Sequence, residues 1–155
     1  MSLHSNDERH LRELEERIRR ARAITPRLMA DAITRACPRL QVQHPAARAR
    51  VARLIESGAF DDAILAVLEL KLPQWKLRRL IYEEGEWHCS LSKHLGLPTE
   101  FDEMAEASHE NLPLAILSAF VEARRNSLIA AQSRPHSVPL LRHQEGYAMC
   151  CDNFA

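Results

Sequence analysis

The spacing of apolar residues along the chain predicts helices over most of its length. Within residues 7–23 they recur at i, i+3, i+7 and i+10, which is typical of a narrow apolar stripe on one face of a helix. Thr25 followed by Pro26 is a helix start signal and Pro38 is a stop signal, so a second helix is predicted between them. The same spacing predicts further helices over residues 46–57, 60–72, 99–108 and 113–131.

The pattern changes from helical spacing to alternation near residues 75–92. Trp87, Cys89 and Leu91 share one face of an extended chain with polar residues between them, and Gly85 supplies a turn. This pattern indicates a β-hairpin whose apolar face, including Cys89, belongs to the core. The alternative is a helix over residues 74–84, because the apolar residues of that stretch also fit helical spacing.

Together these elements predict a mainly α fold of the α+β class, with about six helices and one β-hairpin near residues 75–92. A length of 155 residues fits one domain. We therefore predict a single α-rich domain over residues 1–131. Residues 132–155, in which prolines and serines interrupt the pattern, are predicted to be an irregular C-terminal tail.

The sequence also predicts the compartment in which the protein works. No stretch approaches the roughly 18 continuous apolar residues of a membrane span, and the first 20 residues lack the apolar segment of a secretory signal. The four cysteines are not spaced as a disulfide framework. We therefore expect a cytoplasmic protein with reduced thiols and no membrane partner.

Charge is distributed unevenly, although the formal net charge is zero. Residues 17–56 hold ten arginines and two acidic residues, whereas residues 83–110 hold eight acidic residues and one lysine. This separation predicts a homo-oligomer, most simply a two-fold dimer in which opposite charges meet between subunits. The alternative is that the two regions neutralise each other within a monomer. Residues chosen as a possible partner surface are Arg48, Arg50, Arg53, Arg78, Glu103 and Glu106.

Nucleic acid is a second class of partner that the arginine-rich segment 17–53 allows. The two helices predicted over 46–57 and 60–72 are also spaced like a helix-turn-helix. However, the second of them carries Asp61, Asp62 and Glu69, and this negative charge opposes binding in the major groove. Binding to another protein is therefore preferred over binding to nucleic acid.

The residues with reactive side chains do not form a recognisable catalytic pattern. His88 and Cys89 are neighbours on a predicted strand, so their side chains point to opposite faces and cannot act as a base and nucleophile pair. No closely spaced pair of cysteines or histidines of the kind that binds zinc is present, so no metal and no cofactor is predicted. An enzyme site around Trp87, His88 and His109 is the third hypothesis for function.

Two runs of the sequence resemble a known group of proteins. Residues 72–92, which include Leu72-Pro73-Gln74-Trp75 and Glu86-Trp87-His88-Cys89, form the first run, and residues 107–117 form the second. Both are similar to segments of a family of small bacterial proteins, common in nitrogen-fixing soil bacteria, to which no function is assigned. The resemblance implies a bacterial cytoplasmic protein and supplies no catalytic residues. The charge pattern and the lack of a recognisable catalytic pattern favour a non-enzymatic interaction or regulatory module that self-associates.

Overall fold

The computed structural model describes residues 3–39 and 44–133, so that the predicted tail lies outside the described residues from position 134 onward. Within these residues five α-helices and three β-strands follow one another. They are α1 (Leu3–Arg20), α2 (Pro26–Ala36), α3 (Pro45–Glu56), α4 (Phe60–Lys71), β1 (Lys76–Glu83), β2 (Glu86–Ser92), β3 (Met104–His109) and α5 (Leu112–Gln132), with a short 3-10 turn at Thr99–Phe101 before β3. The class is mixed α+β, as predicted.

Helix α1 confirms the predicted apolar stripe, because Leu11, Leu14 and Ile18 are all buried. It begins earlier than predicted and ends at Arg20. Three Glu–Arg pairs at i, i+4 form on its surface, at 2.6, 3.7 and 2.6 Å. Such exposed pairs contribute little each, so the buried stripe holds the helix in place.

A cross-helix ion network joins α1 to α2. Arg17 binds Asp31 of α2 rather than Glu13, and Glu13 instead lies 3.1 Å from Arg35. Arg35 also donates to Asp31 at 3.0 Å. Burial alone would raise the pKa of Asp31, but the bonds from Arg35 and Arg17 outweigh it and lower that pKa. The network therefore links the surfaces of the first two helices, whose apolar residues pack beneath it.

The ends of the next helices follow the signals in the sequence. Pro26 opens α2, and the Thr25 hydroxyl accepts a hydrogen bond from the Leu28 amide at 3.1 Å. Gly58, between α3 and α4, has a φ of +77°, a left-handed conformation that glycine adopts at no steric cost. These caps account for the agreement between predicted and observed boundaries at the start of α2 and the end of α3.

The strands form one antiparallel sheet with the order β1-β2-β3. The predicted hairpin is therefore confirmed, and the alternative helix over residues 74–84 is wrong. The helix predicted over residues 99–108 is also wrong, because only a short 3-10 turn forms at Thr99–Phe101 and the second half of that segment belongs to β3. Along β3 Ala105 is buried, Glu106 exposed, Ala107 half-buried and Ser108 exposed, which is the two-residue period of a strand. Pairing with β2 supplies a partner that the local sequence does not reveal.

The described helices cover one face of this sheet. Helix α5 packs on β3 and β2, and α1 and α4 pack against α5. The covered face of the sheet presents Cys89, Leu91 and Ala105 to the helices, and all three are buried. Trp87 is only half-buried on that face, whereas Trp75, just before β1, is completely buried. The opposite face carries polar side chains and no helix within the described residues.

The hairpin turn holds a residue in an unfavourable conformation. Glu84 and Gly85 have φ values of +52° and +90°, the signature of a type I′ turn that favours Asn-Gly. A side chain in the left-handed region costs roughly 1 kcal/mol relative to glycine, and less for asparagine. We expect Glu84→Asn to raise the free energy of unfolding by a few tenths to about 1 kcal/mol in urea denaturation. Gly85→Ala should lower it, and the reverse order of these two effects would contradict the turn type.

Candidate functional site

The helix-free face of the sheet forms a shallow depression of about 440 Å³. Each strand contributes side chains to it, and these are Arg79, Ile81 and Glu83 from β1, His88 and Ser90 from β2, and Glu106 and Ser108 from β3. Ser90 is only 8% exposed although no helix covers it, and its hydroxyl donates to Glu106 at 2.9 Å. The face is therefore mixed in character, with both charges, hydroxyl groups and one branched aliphatic side chain.

Strand β1 forms one edge of the sheet. Glu83 lies opposite Glu86 and Ile81 lies opposite His88 across a two-residue turn. In such hairpins these are the hydrogen-bonded pairs. The residues that alternate with them along β1, Tyr82 and Leu80, therefore have N–H and C=O groups that point away from β2. No backbone hydrogen bond joins β1 to any other described residue outside the β1–β2 ladder. Within the described residues this edge is therefore open.

Apolar side chains are also exposed along β1. Tyr82 is 60% exposed and packs against Trp87 with its ring centroid 5.2 Å away, and Leu77 is 37% exposed. Long edge strands with exposed apolar residues are templates for pairing with another chain, and proteins usually shorten or protect them. The combination of unpaired backbone groups with exposed Tyr82 marks this edge as the principal candidate contact surface.

A bulge and an ion pair close the other end of β1. The register shifts between Leu77 and Arg79, which leaves Arg78 unpaired in the ladder. The Arg78 guanidinium reaches Asp102 at 2.8 Å and the Leu97 carbonyl at 3.3 Å. Arg78 was predicted to face a partner. Instead it binds the segment that connects β2 to β3 and holds that segment against β1.

Asp102 is the common acceptor of the hydrogen bonds that hold this connecting segment. Its side chain has no exposed surface, and its carboxylate accepts hydrogen bonds from the Ser92 hydroxyl and, at 2.9 Å, from the His94 amide. Burial would raise the pKa of Asp102, but these two bonds and that from Arg78 outweigh it and hold the pKa below its usual range. We call Asp102, Arg78, Ser92 and the His94 amide the Asp102 clamp. Thr99 and Asp102 also have the spacing of a helix capping box, and this local pattern favours the helix predicted over residues 99–108 rather than this role.

The six residues chosen as a possible partner surface lie on two parts of the structure. Arg78, Glu103 and Glu106 surround the sheet, where Glu103 pairs with Lys93 and Glu106 accepts from Ser90. The other three, Arg48, Arg50 and Arg53, are exposed on α3, which packs against α4 and α2.

The arginines of α3 do not form a single row. Arg48 and Arg50 are two positions apart, about 200° around the helix axis, whereas Arg50 and Arg53 are neighbours on one side. None of the three takes part in the ion pairs found among the described residues. Their charge therefore remains available to solvent or to an anionic partner.

The structure brings together only two of the three residues of the hypothetical enzyme site. Trp87 lies opposite His109 on the helix-covered face, whereas His88 lies opposite Ser108 on the other face. The Nδ1 atom of His109 accepts a hydrogen bond from the Asn111 amide at 2.9 Å, at the start of α5. Cys89 and His88 likewise point to opposite faces, so neither can activate the other. Among the described residues, no group of three or more potential metal ligands is close enough to hold an ion.

The two described cysteines are chemically protected. Cys37 and Cys89 are both buried, and burial raises their pKa values to about 11 and about 12. We expect a Cys150→Ser/Cys151→Ser variant to react with a thiol reagent at neutral pH only slowly when folded, and with both remaining thiols in denaturant. Rapid labelling of Cys89 in the folded protein, located by mass spectrometry, would count against its burial in the core.

Comparisons with known proteins add no assignment to this geometry. None of the helices in the described ranges is both long and apolar enough for a membrane span. The chain matches no family model, no curated protein and no solved structure. The resemblance to the family of small bacterial proteins therefore stays a prediction, and any functional conclusion has to come from the sheet and its surroundings.

Proposed function

We propose that this protein is a non-enzymatic interaction module that self-associates, in the cytoplasm, through the open edge of its sheet. One observation carries the proposal. The outward backbone groups of Leu80 and Tyr82 have no partner among the described residues, and the exposed Tyr82 ring lies beside them. Adding a strand to such an edge satisfies those groups and buries apolar surface at the same time.

Other features of the structure support a binding role over catalysis. On the helix-free face the Ser90 hydroxyl donates to the Glu106 carboxylate, and among the described residues no hydrogen bond joins His88 to the Ser108 hydroxyl on the neighbouring strand, as a histidine base and its nucleophile would require. The imidazoles of His88 and His109 are separated by the sheet itself. The sheet can therefore bind a partner through its shape, its charged side chains and the unpaired backbone N–H and C=O groups of its β1 edge.

The oligomeric mass in solution tests this proposal. Light scattering on the full chain at micromolar concentration should give twice the monomer mass of 17.7 kDa. Repeating the measurement at about 1 M salt, where the screening length falls to about 3 Å, tells whether charge or apolar burial holds the dimer. A monomer mass at low and at high salt would contradict self-association.

A specific observation keeps nucleic acid as a second candidate. Arg48, Arg50 and Arg53 are exposed on α3 without ion-pair partners among the described residues. Fluorescence anisotropy with labelled DNA and RNA duplexes would detect binding, and its affinity should fall steeply as salt rises. A variant with all three arginines replaced by alanine should then lose that binding, while the oligomeric mass should not change.

A further inference from the structure

We infer that the partner at the β1 edge is a second copy of this chain, paired antiparallel to β1 about a two-fold axis that passes beside Ile81. This inference rests on the proposed function and specifies its geometry. It joins two three-stranded sheets into one continuous sheet of six strands, with the helices of both copies on the same side.

Symmetry restricts the possible registers. A two-fold axis perpendicular to the sheet keeps each face of one copy on the same side as that face of the other. Residues that lie opposite each other must therefore share a face, and one residue of β1 must lie opposite itself. The regular part of β1 is residues 79–83, because the bulge at Arg78 interrupts the ladder before it. Ile81 is the centre of this stretch.

The backbone fits an axis at Ile81. Leu80 of one copy then lies opposite Tyr82 of the second copy, and these are the residues whose N–H and C=O groups point outward. Each pair exchanges hydrogen bonds in both directions, and Ile81 forms the non-hydrogen-bonded pair with its own copy. The outward polar groups of this stretch are satisfied without any change to the β1–β2 ladder.

The side chains select the same register. On the helix-free face it places Arg79 opposite Glu83 of the second copy, at both ends of the contact. Both residues are exposed, and neither forms an ion pair with a described residue. On the other face Tyr82 covers Leu80 of the second copy, and such aromatic–aliphatic pairs stabilise sheets.

A two-fold axis at any other residue of 79–83 gives less favourable side-chain contacts. An axis at Arg79 or at Glu83 sets like charges opposite each other, and an axis at Leu80 or Tyr82 leaves both charges without an opposite charge across the interface. Charged residues and bulges on edge strands commonly prevent pairing. Here the bulge lies outside residues 79–83, and Arg79 meets a carboxylate, so neither feature blocks this contact.

Charge reversal tests the register directly. Arg79→Glu alone places two carboxylates opposite each other at both ends of the contact, and Glu83→Arg alone places two guanidinium groups there. Each single variant should weaken the dimer by about tenfold or more at low salt, measured by sedimentation over a concentration series. Mixing the two single variants should restore the dimer to within about threefold of the original affinity, because every Arg79–Glu83 contact is then again between opposite charges.

Rescue in the mixture cannot arise from changes within one chain. The double variant Arg79→Glu/Glu83→Arg should also dimerise, and Arg50→Glu on α3 is a matched control that should leave the dimer intact. Circular dichroism of each variant checks that it folds. A dimer in the original chain that neither single variant weakens, or that mixing fails to rescue, would overturn this register while self-association stands. A monomer in the original chain would overturn both.

Discussion

Replacing Trp75 with alanine is expected to lower the free energy of unfolding by about 3–5 kcal/mol, the range for removing a large buried aromatic side chain. Trp75 has no exposed surface, and its indole N–H donates to the Ser127 hydroxyl of α5 at 3.0 Å. The Lys93 ammonium lies over the ring of Trp75, 5.2 Å from the ring centre. The variant loses packing and leaves a cavity between the start of β1 and α5. Urea denaturation followed by circular dichroism measures the loss.

Trp87 provides the matched control for this prediction. Trp87 lies on β2, but it is half-buried and packs against the exposed Tyr82 ring. Because less of its surface is removed from water, Trp87→Ala should cost about 1–3 kcal/mol. Trp75→Phe should fall between the two, since it keeps most of the volume and loses the bond to Ser127. A larger loss for Trp87→Ala than for Trp75→Ala would show that the core is assigned to the wrong tryptophan.

The predictable part of this fold is the part whose signals are local. Helix α2 begins at a Thr-Pro pair, and the glycine between α3 and α4 supplies a left-handed residue, so both boundaries are encoded within a few positions. The stripe Leu11, Leu14 and Ile18 reports burial by spacing alone. The hairpin was predictable because alternation and a glycine turn occur in the same stretch.

Strand β3 was not predictable in the same way. Its six residues are too few to establish a period, and Thr99 with Asp102 imitates a helix capping box. What makes the segment a strand is the ladder to β2, a contact with residues that are distant in sequence. For the same reason Asp102 was misinterpreted, since its partners Ser92 and Arg78 are 10 and 24 positions away.

The candidate contact surface shows a further limit of sequence reasoning. The residues chosen as a possible partner surface include Arg78, Glu103 and Glu106, but charge does not tell which groups have internal partners. All three have partners in the structure, whereas Arg79 and Glu83, which were not chosen, have no ion-pair partner among the described residues. Exposure of Tyr82 depends on which strand is at the edge, and only the strand order supplies that information.

Loss of the Asp102 carboxylate is expected to destabilise the protein in a manner that depends on pH. Asp102→Asn keeps the shape of the side chain, but it removes the charge that faces Arg78 and one acceptor of the bonds from Ser92 and the His94 amide. The variant should unfold at a lower temperature than the original chain at pH 7. Glu100→Gln, an exposed carboxylate in the same connection, is the matched control and should change little.

The pH dependence follows from the lowered pKa of Asp102 in the folded protein. The unfolded chain takes up the proton near the ordinary value of 3.8, and the folded chain does so at lower pH. The stabilising effect of the carboxylate is therefore complete above that ordinary value and is lost as pH falls through the lower, folded value. The difference between the original chain and Asp102→Asn should be constant near neutrality and should shrink in acid, in thermal unfolding at a series of pH values. A difference that stays the same from neutral pH into strong acid would show that the shape of the clamp matters and its charge does not.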